Sequence, residues 1–403
     1  MRPAVVFILL TVMIDAMGIG LMIPVMPDLI REVNGGTLAQ AALWGGILST
    51  TFAVMQFLFG PVVGGLSDRY GRRPILLGTT VIMALDYVVM ALAGSIWLLV
   101  AGRVVGGITA ATQSTAYAFM ADISEPRNRA ANFGLVGASF GTGFVLGPIA
   151  GGLLAEYGTR APFWAAAVLV AGNAALGWFV LRETMTTPRP FRWRRANPFG
   201  ALRALGRLPG LKQLLLVFFL YHVAFAVYPS VWPYFGQERF GWTPAMIGLA
   251  LALFGAIMVL VQAGLIRLAL HWLGERGTVV AGHLFSILGY LSLGVISSGW
   301  VALALTPLAA LGGVISPALQ GIMSQRVADD AQGELQGALS SLASLAMILS
   351  PLVMTATFAR YSGPGAPVYM PGAPFLLAMA LAVLGLVLFV LRPRRRTHPG
   401  DAS

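Results

Sequence analysis

The stretch Gly65-Leu66-Ser67-Asp68-Arg69-Tyr70-Gly71-Arg72-Arg73 places four charges and two glycines between two long apolar runs. Charge bounded in this way forms a connection at a membrane surface, and three arginines hold that connection on the cytoplasmic side. The run before it ends near Leu66 and the next begins near Pro74, which predicts a tight hairpin between two membrane helices. Asp68 lies where the first helix ends, an unfavourable place for an anion, so it is expected to pair with Arg72 or with a neighbouring helix N-terminus. A pair of that kind is a breakable latch. Taken alone the pattern also suits a purely topogenic basic loop, and the rest of the chain decides between the two readings.

Composition excludes an ordinary soluble domain. Of the 403 residues 57% are hydrophobic and 10% charged, with a mean hydropathy of +0.80, which leaves too little polar surface to cover a core. The fold class is therefore an all-α polytopic membrane protein. At roughly 20 residues per span the length accommodates about twelve transmembrane helices. The net charge of +11 comes from arginines scattered over loops without interleaved aromatics, so it reads as topology rather than nucleic-acid binding. With no cysteine, disulfides, thiolate metal sites and thiol catalysis are excluded together. Residues 1–14 mimic a signal peptide, but the run continues through Asp15 to Pro27 without a small-residue cleavage site, which predicts an uncleaved first helix.

The apolar segments are 4–27, 42–66, 74–94, 96–120, 131–155, 162–181, 211–235, 244–270, 278–297, 300–323, 335–358 and 374–391. Placing both termini in the cytoplasm puts nearly all loop arginines inside and only Arg31, Arg160, Arg239 and Arg360 outside. One long Arg- and Pro-rich connection divides the chain. The expected organisation is a six-helix half at 1–182, a cytoplasmic linker at 183–210, a second six-helix half at 211–392 and a cytoplasmic tail at 393–403. The halves show weak duplication: Gly107 answers Gly313 at an offset of 206, while Gly134 with Gly337 and Pro148 with Pro351 share an offset of 203. Parallel repeats of this kind are a transporter signature, with the substrate site expected between the halves at mid-membrane. Gly264, Leu265, Arg267, Gly274, Glu275 and Arg276 resemble a degraded copy of the opening loop that has lost its aspartate.

Of fifteen acidic residues only Asp15 and Asp86 fall well inside apolar spans, and of twenty-six basic residues only Arg103 does so. An intramembrane carboxylate is tolerated when it faces a wet cavity, pairs, or carries a proton. Asp15 and Asp86 are therefore the candidates for proton or cation coupling, against the alternative of a structural pair such as Asp86 with Arg103. Arg103 lies a turn or two inside its helix, where snorkelling to the interface competes with a cavity role. Gln113, Gln262, Gln320 and His283, with Gln56, Gln336, Tyr87, Tyr117 and His222, form a polar set that suggests a substrate cavity, although each singly also suits an interhelical hydrogen bond. The fifth span carries Gly143, Gly147, Pro148, Gly151 and Gly152, small residues at four-residue spacing that permit close helix contact, with a proline that bends the span. There is no cluster of metal ligands and no phosphate-binding Gly-Lys-Ser/Thr.

Together these residues resemble the major facilitator superfamily, and within it the drug/proton antiporters of the tetracycline-efflux branch. The resemblance covers nearly the whole chain. The loop with Gly65, Asp68, Arg69, Gly71, Arg72 and Arg73 is similar to the superfamily signature between helices two and three, Arg103 to Gly107 looks like the fourth-helix motif, and Gly143 to Gly152 looks like the antiporter motif of helix five. Asp15 to Gly20 with Pro24 and Pro27, the Asp86-Tyr87 pair, Pro317 to Gly321 and Leu335 to Gly337 resemble the tetracycline exporters more specifically. The resemblance implies a latch of Asp68, Arg72 and Asp122 that favours the outward-facing state, and a cavity lined or coupled by Asp15, Asp86, Arg103, Gln113 and Gln262. It implies two pseudo-symmetric six-helix halves, no enzyme activity, and no cofactor beyond the proton gradient. It further implies a small-molecule substrate that arrives as a magnesium chelate, and a monomer in the bacterial inner membrane. One departure stands out. Met258 and Ile287 occupy the positions where tetracycline exporters carry a histidine and an aspartate. A multidrug or metabolite exporter of the same fold, or a proton symporter for a metabolite, is the alternative.

Overall fold

The computed structural model describes residues 3–391 apart from 111, 126–127, 186–190, 192–196, 201–209 and 329–330, and leaves the side chains at 112, 113 and 130 undescribed. Eleven continuous helices in the described part are long and apolar enough to cross a membrane. The one spanning Pro244–Val295 has 52 residues, about 78 Å at 1.5 Å per residue, more than twice a hydrocarbon core of roughly 30 Å. It is broken at Gly274, whose φ of 65° and ψ of 174° leave the helical region. Splitting it there gives twelve spans: α1 Pro3–Asn34, α2 Leu38–Tyr70, α3 Arg72–Ala91, α4 Ile96–Ile123, α5 Arg129–Leu154, α6 Ala161–Val180, α7 Lys212–Phe240, α8 residues 244–273, α9 residues 275–295, α10 Gly299–Ser324, α11 Gln332–Ser362 and α12 Ala373–Val390. Helices satisfy every backbone group internally, which is why an apolar chain of this length adopts little else in lipid.

Several boundaries follow from local chemistry. A capping box of Thr37 and Gln40 starts α2, Ser95 caps α4 and Thr243 caps α8, each supplying an oxygen to an otherwise orphaned N–H. The expected hairpin at 65–73 is shorter than its sequence suggests. The α2 helix runs on through Asp68 to Tyr70, and Gly71 alone makes the turn at φ 105° and ψ 156°, backbone that only glycine adopts without strain. Gly274 makes the equivalent single-residue turn 203 positions later.

That offset holds beyond the turn. Ser95 and Ser298 occupy the N-cap positions of α4 and α10, and Trp97 and Trp300 follow them at the same spacing. Gly107, which packs on Phe52, and Gly313, which packs on Met258, keep the offset of 206 read between them in the sequence.

The halves α1–α6 and α7–α12 meet at the end of the bundle remote from Gly71. There Thr50 Oγ1 donates to the Ile348 carbonyl across the α2–α11 contact at 2.9 Å, and Gly46 sits against Pro351 and Thr355. The Asp28 carboxylate accepts from Gln237 Nε2 at 3.1 Å. Toward the Gly71 end the same helices part, and Gly60, Gly64, Gly134 and Gly137 have open space where a side chain would start. The cleft between the halves therefore opens at the Gly71 end.

Candidate functional site

Asp86 lies in α3 facing α4, where Gly102 and Gly106 leave room for its two carboxylate oxygens. It is 4% exposed. Its partner is Arg103, one turn between those glycines, with Nη2 3.8 Å from Oδ2. The pair is loose. Asp86 Oδ1 and Arg103 Nε are buried without a hydrogen-bond partner, and the guanidinium is instead held by softer contacts: the Met90 sulfur, the Met22 sulfur at 3.4 Å and the Phe52 ring, 5.5 Å from its centroid. Arg103 thus points inward and does not snorkel. Tyr87 is buried with its hydroxyl over Gly18 of α1, within electrostatic reach of Arg103, Asp15 and Asp86. Asp15 Oδ1 is also buried and unpartnered. Two carboxylates and one guanidinium from α1, α3 and α4 therefore lie within electrostatic reach of one buried tyrosine, with one positive charge to two negative. A buried pair in that condition is costly as architecture and responsive to a proton or a ligand.

At the Gly71 turn, Arg72 bonds Asp68 and reaches Asp122 of α4, Nε to Oδ2 at 3.3 Å. Ser67 Oγ accepts a further bond from Arg72 Nη1 at 3.3 Å. All four residues belong to the first half, so the structure brings Asp68, Arg72 and Asp122 together, but it does so with the cleft open at the Gly71 end and not in the outward-facing state that the resemblance assigns to the latch. A residue that sequence reasoning missed completes the cluster. The Glu183 carboxylate, just beyond α6, accepts the backbone N–H groups of Arg72 at 2.9 Å and Arg73 at 3.1 Å, together with those of Thr184 and Met185. Partial burial pushes its pKa up, but these four hydrogen bonds outweigh it and hold the group below the usual carboxylate range. Gly71 is seated directly against that carboxylate. Arg73 extends over Trp178 of α6, 5.5 Å from the ring centroid, and Arg69 lies over the Tyr70 ring at 5.1 Å. Gly65 packs near Phe191 of the linker.

The glycines of α5 serve two partners. Gly143, Gly147 and Gly151, spaced by one helical turn, lie against the α1 backbone at Met13, Met17 and Leu21. Pro148 and Gly152 face α8, where Gly248 meets the Pro148 carbonyl and Gly152 meets Pro244. A side chain at any of these positions would push two helices apart. The α5 helix is thus wedged between α1 and the opposite half.

The remaining candidates do not converge on Asp86. His283 is buried in α9, with Nδ1 2.8 Å from the Val279 carbonyl and Nε2 beside Gly385 of α12. Gln320 bonds Ser316 in its own helix at 3.2 Å. Gln262 is exposed within a π-helical turn, Val261–Leu265 of α8, and the side chain of Gln113 lies outside the described residues. Met258 packs its sulfur onto Gly313, and Ile287 joins the apolar core. Among the described residues no three His, Asp or Glu side chains gather to hold a metal. A second feature missed from sequence is aromatic. Tyr221, Phe225, Tyr228, Trp232 and Phe235 recur along α7 at spacings of four and three, one face of a helix, and Tyr228 packs at a tilt against Phe254 of α8, 4.9 Å between ring centroids. That periodicity was the available signal.

Comparison with known proteins agrees with this geometry. Residues 8–351 match the family model of the Major Facilitator Superfamily. The chain is 43% identical over 358 residues to the class C tetracycline resistance protein of Escherichia coli, covering 88% of this chain and 90% of that one. It is 40% identical over 367 residues to the class G tetracycline resistance protein of Vibrio anguillarum, covering 90% and 92%. In fold it resembles the inward-facing, unoccupied crystal structure of a bacterial homologue of the human lysosomal transporter Spinster. That match has a TM-score of 0.77 at 17% identity over 96% of both chains.

Proposed function

The chain belongs to the Major Facilitator Superfamily, and from that membership we propose that it is a proton-coupled antiporter exporting a small amphipathic drug of the tetracycline kind. It is a multi-pass membrane transporter of small molecules and not an enzyme. The observation that carries the finer reading is the half-compensated Asp15, Asp86 and Arg103 cluster in a chain similar along most of its length to tetracycline resistance proteins.

In this reading the protein resides in the bacterial inner membrane with both termini cytoplasmic, and it acts as a monomer. The cleft then opens to the cytoplasm. Substrate, arriving as a magnesium chelate, enters between the halves while Asp86 and Asp15 hold negative charge. A proton taken from outside by either carboxyl removes that charge, weakens the hold on the substrate and releases Arg103 from its partner. The halves then rock about the fixed site, with the Asp68, Arg72 and Asp122 cluster rearranging as the Gly71 end closes. No cofactor is needed beyond the proton gradient.

The direct test uses proteoliposomes loaded with a pH dye. Tetracycline with magnesium is added without an imposed gradient, to the wild type and to Asp86→Asn. Proton movement in the wild type alone is expected. Retained movement in Asp86→Asn removes Asp86 from coupling. Movement driven by lipophilic cations but not by tetracycline assigns the protein to multidrug export, a reading favoured by apolar Met258 and Ile287 at the two departed positions.

A further inference from the structure

The closed end of the cleft, remote from Gly71, is sealed by a fit of shapes as well as by hydrogen bonds. Gly45 and Gly46 lie side by side in α2 and are both buried. Each receives one side chain from the opposite half. Tyr234 of α7 sets its hydroxyl on Gly45, so that a Cβ there would fall on Oη and lie 2.7 Å from Cζ. Thr355 of α11 sets its hydroxyl on Gly46, where a Cβ would also lie 3.1 Å from the Pro351 carbonyl. Tyr234 is 4% exposed and Thr355 1%, and Phe358 of α11 backs the Tyr234 ring, 6.4 Å between centroids. The seat belongs to one half only. At the offset of 206, Gly45 becomes Leu251, and the counterpart of Tyr234 is Asp28, which accepts from Gln237 instead. Toward the Gly71 end of the same helix, Gly60 and Gly64 face open space.

We propose that Gly45 and Gly46 are the seat of an outer gate and Tyr234 is its bolt, so that these two glycines set the balance between the cleft's two open states. The seat is filled only while α2 lies against α7 and α11 at this end. When the halves part there, both glycines lose their visitors and a methyl group would meet nothing from the opposite half. A change that penalises one state and spares the other shifts the population between them. Forcing one methyl into a filled space is enough to move that ratio about 10-fold. Gly60 is the control within the same helix, since a methyl there meets nothing while the outer end is shut. The proposal deepens the transport reading and rests on it, because a gate works only if the halves alternate.

The chain has no cysteine, so Tyr157→Cys in the first half with Val368→Cys in the second gives one spin-label pair across the outer end, at positions 85% and 57% exposed. Double electron–electron resonance on the full-length protein in lipid nanodiscs then reads the fraction with that end open. Gly45→Ala is expected to raise the ratio of open to closed about 10-fold, and Gly46→Ala should act in the same direction. In the Tyr234→Leu background Gly45→Ala should move the distribution no further, because the bolt is gone. Tyr234→Leu is needed rather than Tyr234→Phe, since Cζ alone already crowds the methyl. Gly60→Ala should not open the outer end. Where Gly45→Ala does not elute as a folded protein, Gly46→Ala supplies the opening and added Thr355→Ala should reduce it. In the pH-dye assay Gly45→Ala should slow proton movement as the closed fraction falls. Absence of proton movement in the wild type defeats the transport reading, while the distances still decide the gate. The proposal is overturned by an unchanged distribution in the folded glycine variants, by an opening that Tyr234→Leu leaves undiminished, or by equal opening in Gly60→Ala.

Discussion

The two halves share a backbone plan and divide the chemistry unequally. Gly71 and Gly274 make the same turn. Arg73 over Trp178 is echoed by Arg276 over Phe389, 5.6 Å from its centroid. The contact of Arg72 with Asp122 is echoed, 203 residues on, by Glu275 Oε1 accepting from Gln325 Nε2 at 2.8 Å. A cation and an anion in one half have become an anion and an amide in the other, with the contact kept. Inside the membrane the substitution is more severe. Asp86 and Arg103 give way to Gly289, which packs closely on Ala309, and to Thr306, which bonds the Ala302 carbonyl. Packing preserves the fold under either content, and on the proposed mechanism the first half keeps its charge for coupling.

The largest effects are expected where this asymmetry is erased. Asp86→Asn should reduce gradient-driven transport at least about 100-fold, in line with loss of an essential proton-transfer group, while the protein keeps its elution profile and helical content. Transport in everted vesicles at wild-type rates would end the claim that charge is kept for coupling. Arg103→Ala attacks stability instead. It leaves Asp86 buried with no countercharge, a loss of about 3–5 kcal/mol, read from unfolding in a detergent titration. In the Asp86→Asn background the same substitution should cost far less, because no charge is stranded. Equal costs in both backgrounds would show that the two residues do not interact.

A middle-sized effect separates α5 from α11. Gly147 and Ser350 correspond at the offset of 203. Gly147 lets α5 touch the α1 backbone, whereas Ser350 Oγ donates across to the Val223 carbonyl of α7 at 2.7 Å. Gly147→Ser should destabilise by about 1–3 kcal/mol through overpacking. Ser350→Ala should cost only about 0.6 kcal/mol, the usual worth of one interhelical hydrogen bond in a membrane. A reversed order would mean that α5 is the looser contact.

What was legible in the sequence was whatever lipid makes expensive. Asp15, Asp86 and Arg103 stood out because hydrocarbon penalises each of them wherever it lies, and Gly71 and Gly274 because a hairpin between spans needs such a residue. The twelve spans follow from the same physics. Contacts that depend on how distant segments meet were not legible. Glu183 reads as one more charge in a polar linker, His283 as a titratable group of unknown facing, and the hairpin at 65–73 as a loop, because charge at a helix end looks the same whether the helix stops or continues. The aromatic face of α7 has a clear period, but the same spacing describes any buried helix.

Glu183 gives the smallest prediction and a distinct one, because among the described residues the second half has no carboxylate in its place. The α9 turn is tied by Thr278 Oγ1 donating to the Gly274 carbonyl at 2.7 Å, whereas the α3 turn depends on an anion. Glu183 is largely solvent-exposed, so screening limits its worth to less than about 1 kcal/mol, and Glu183→Gln should lower stability by no more than that at neutral pH. The sign follows from its depressed pKa in the folded protein. Its contribution is fully present above the unfolded value of about 4.3 and disappears as the pH falls through the lower, folded value. Wild type and Glu183→Gln should therefore differ in thermal midpoint at neutral pH and converge in acid below the ordinary carboxylate range. A gap that persists there would show that the side chain acts through its shape, and the two halves would then differ at this turn in packing alone.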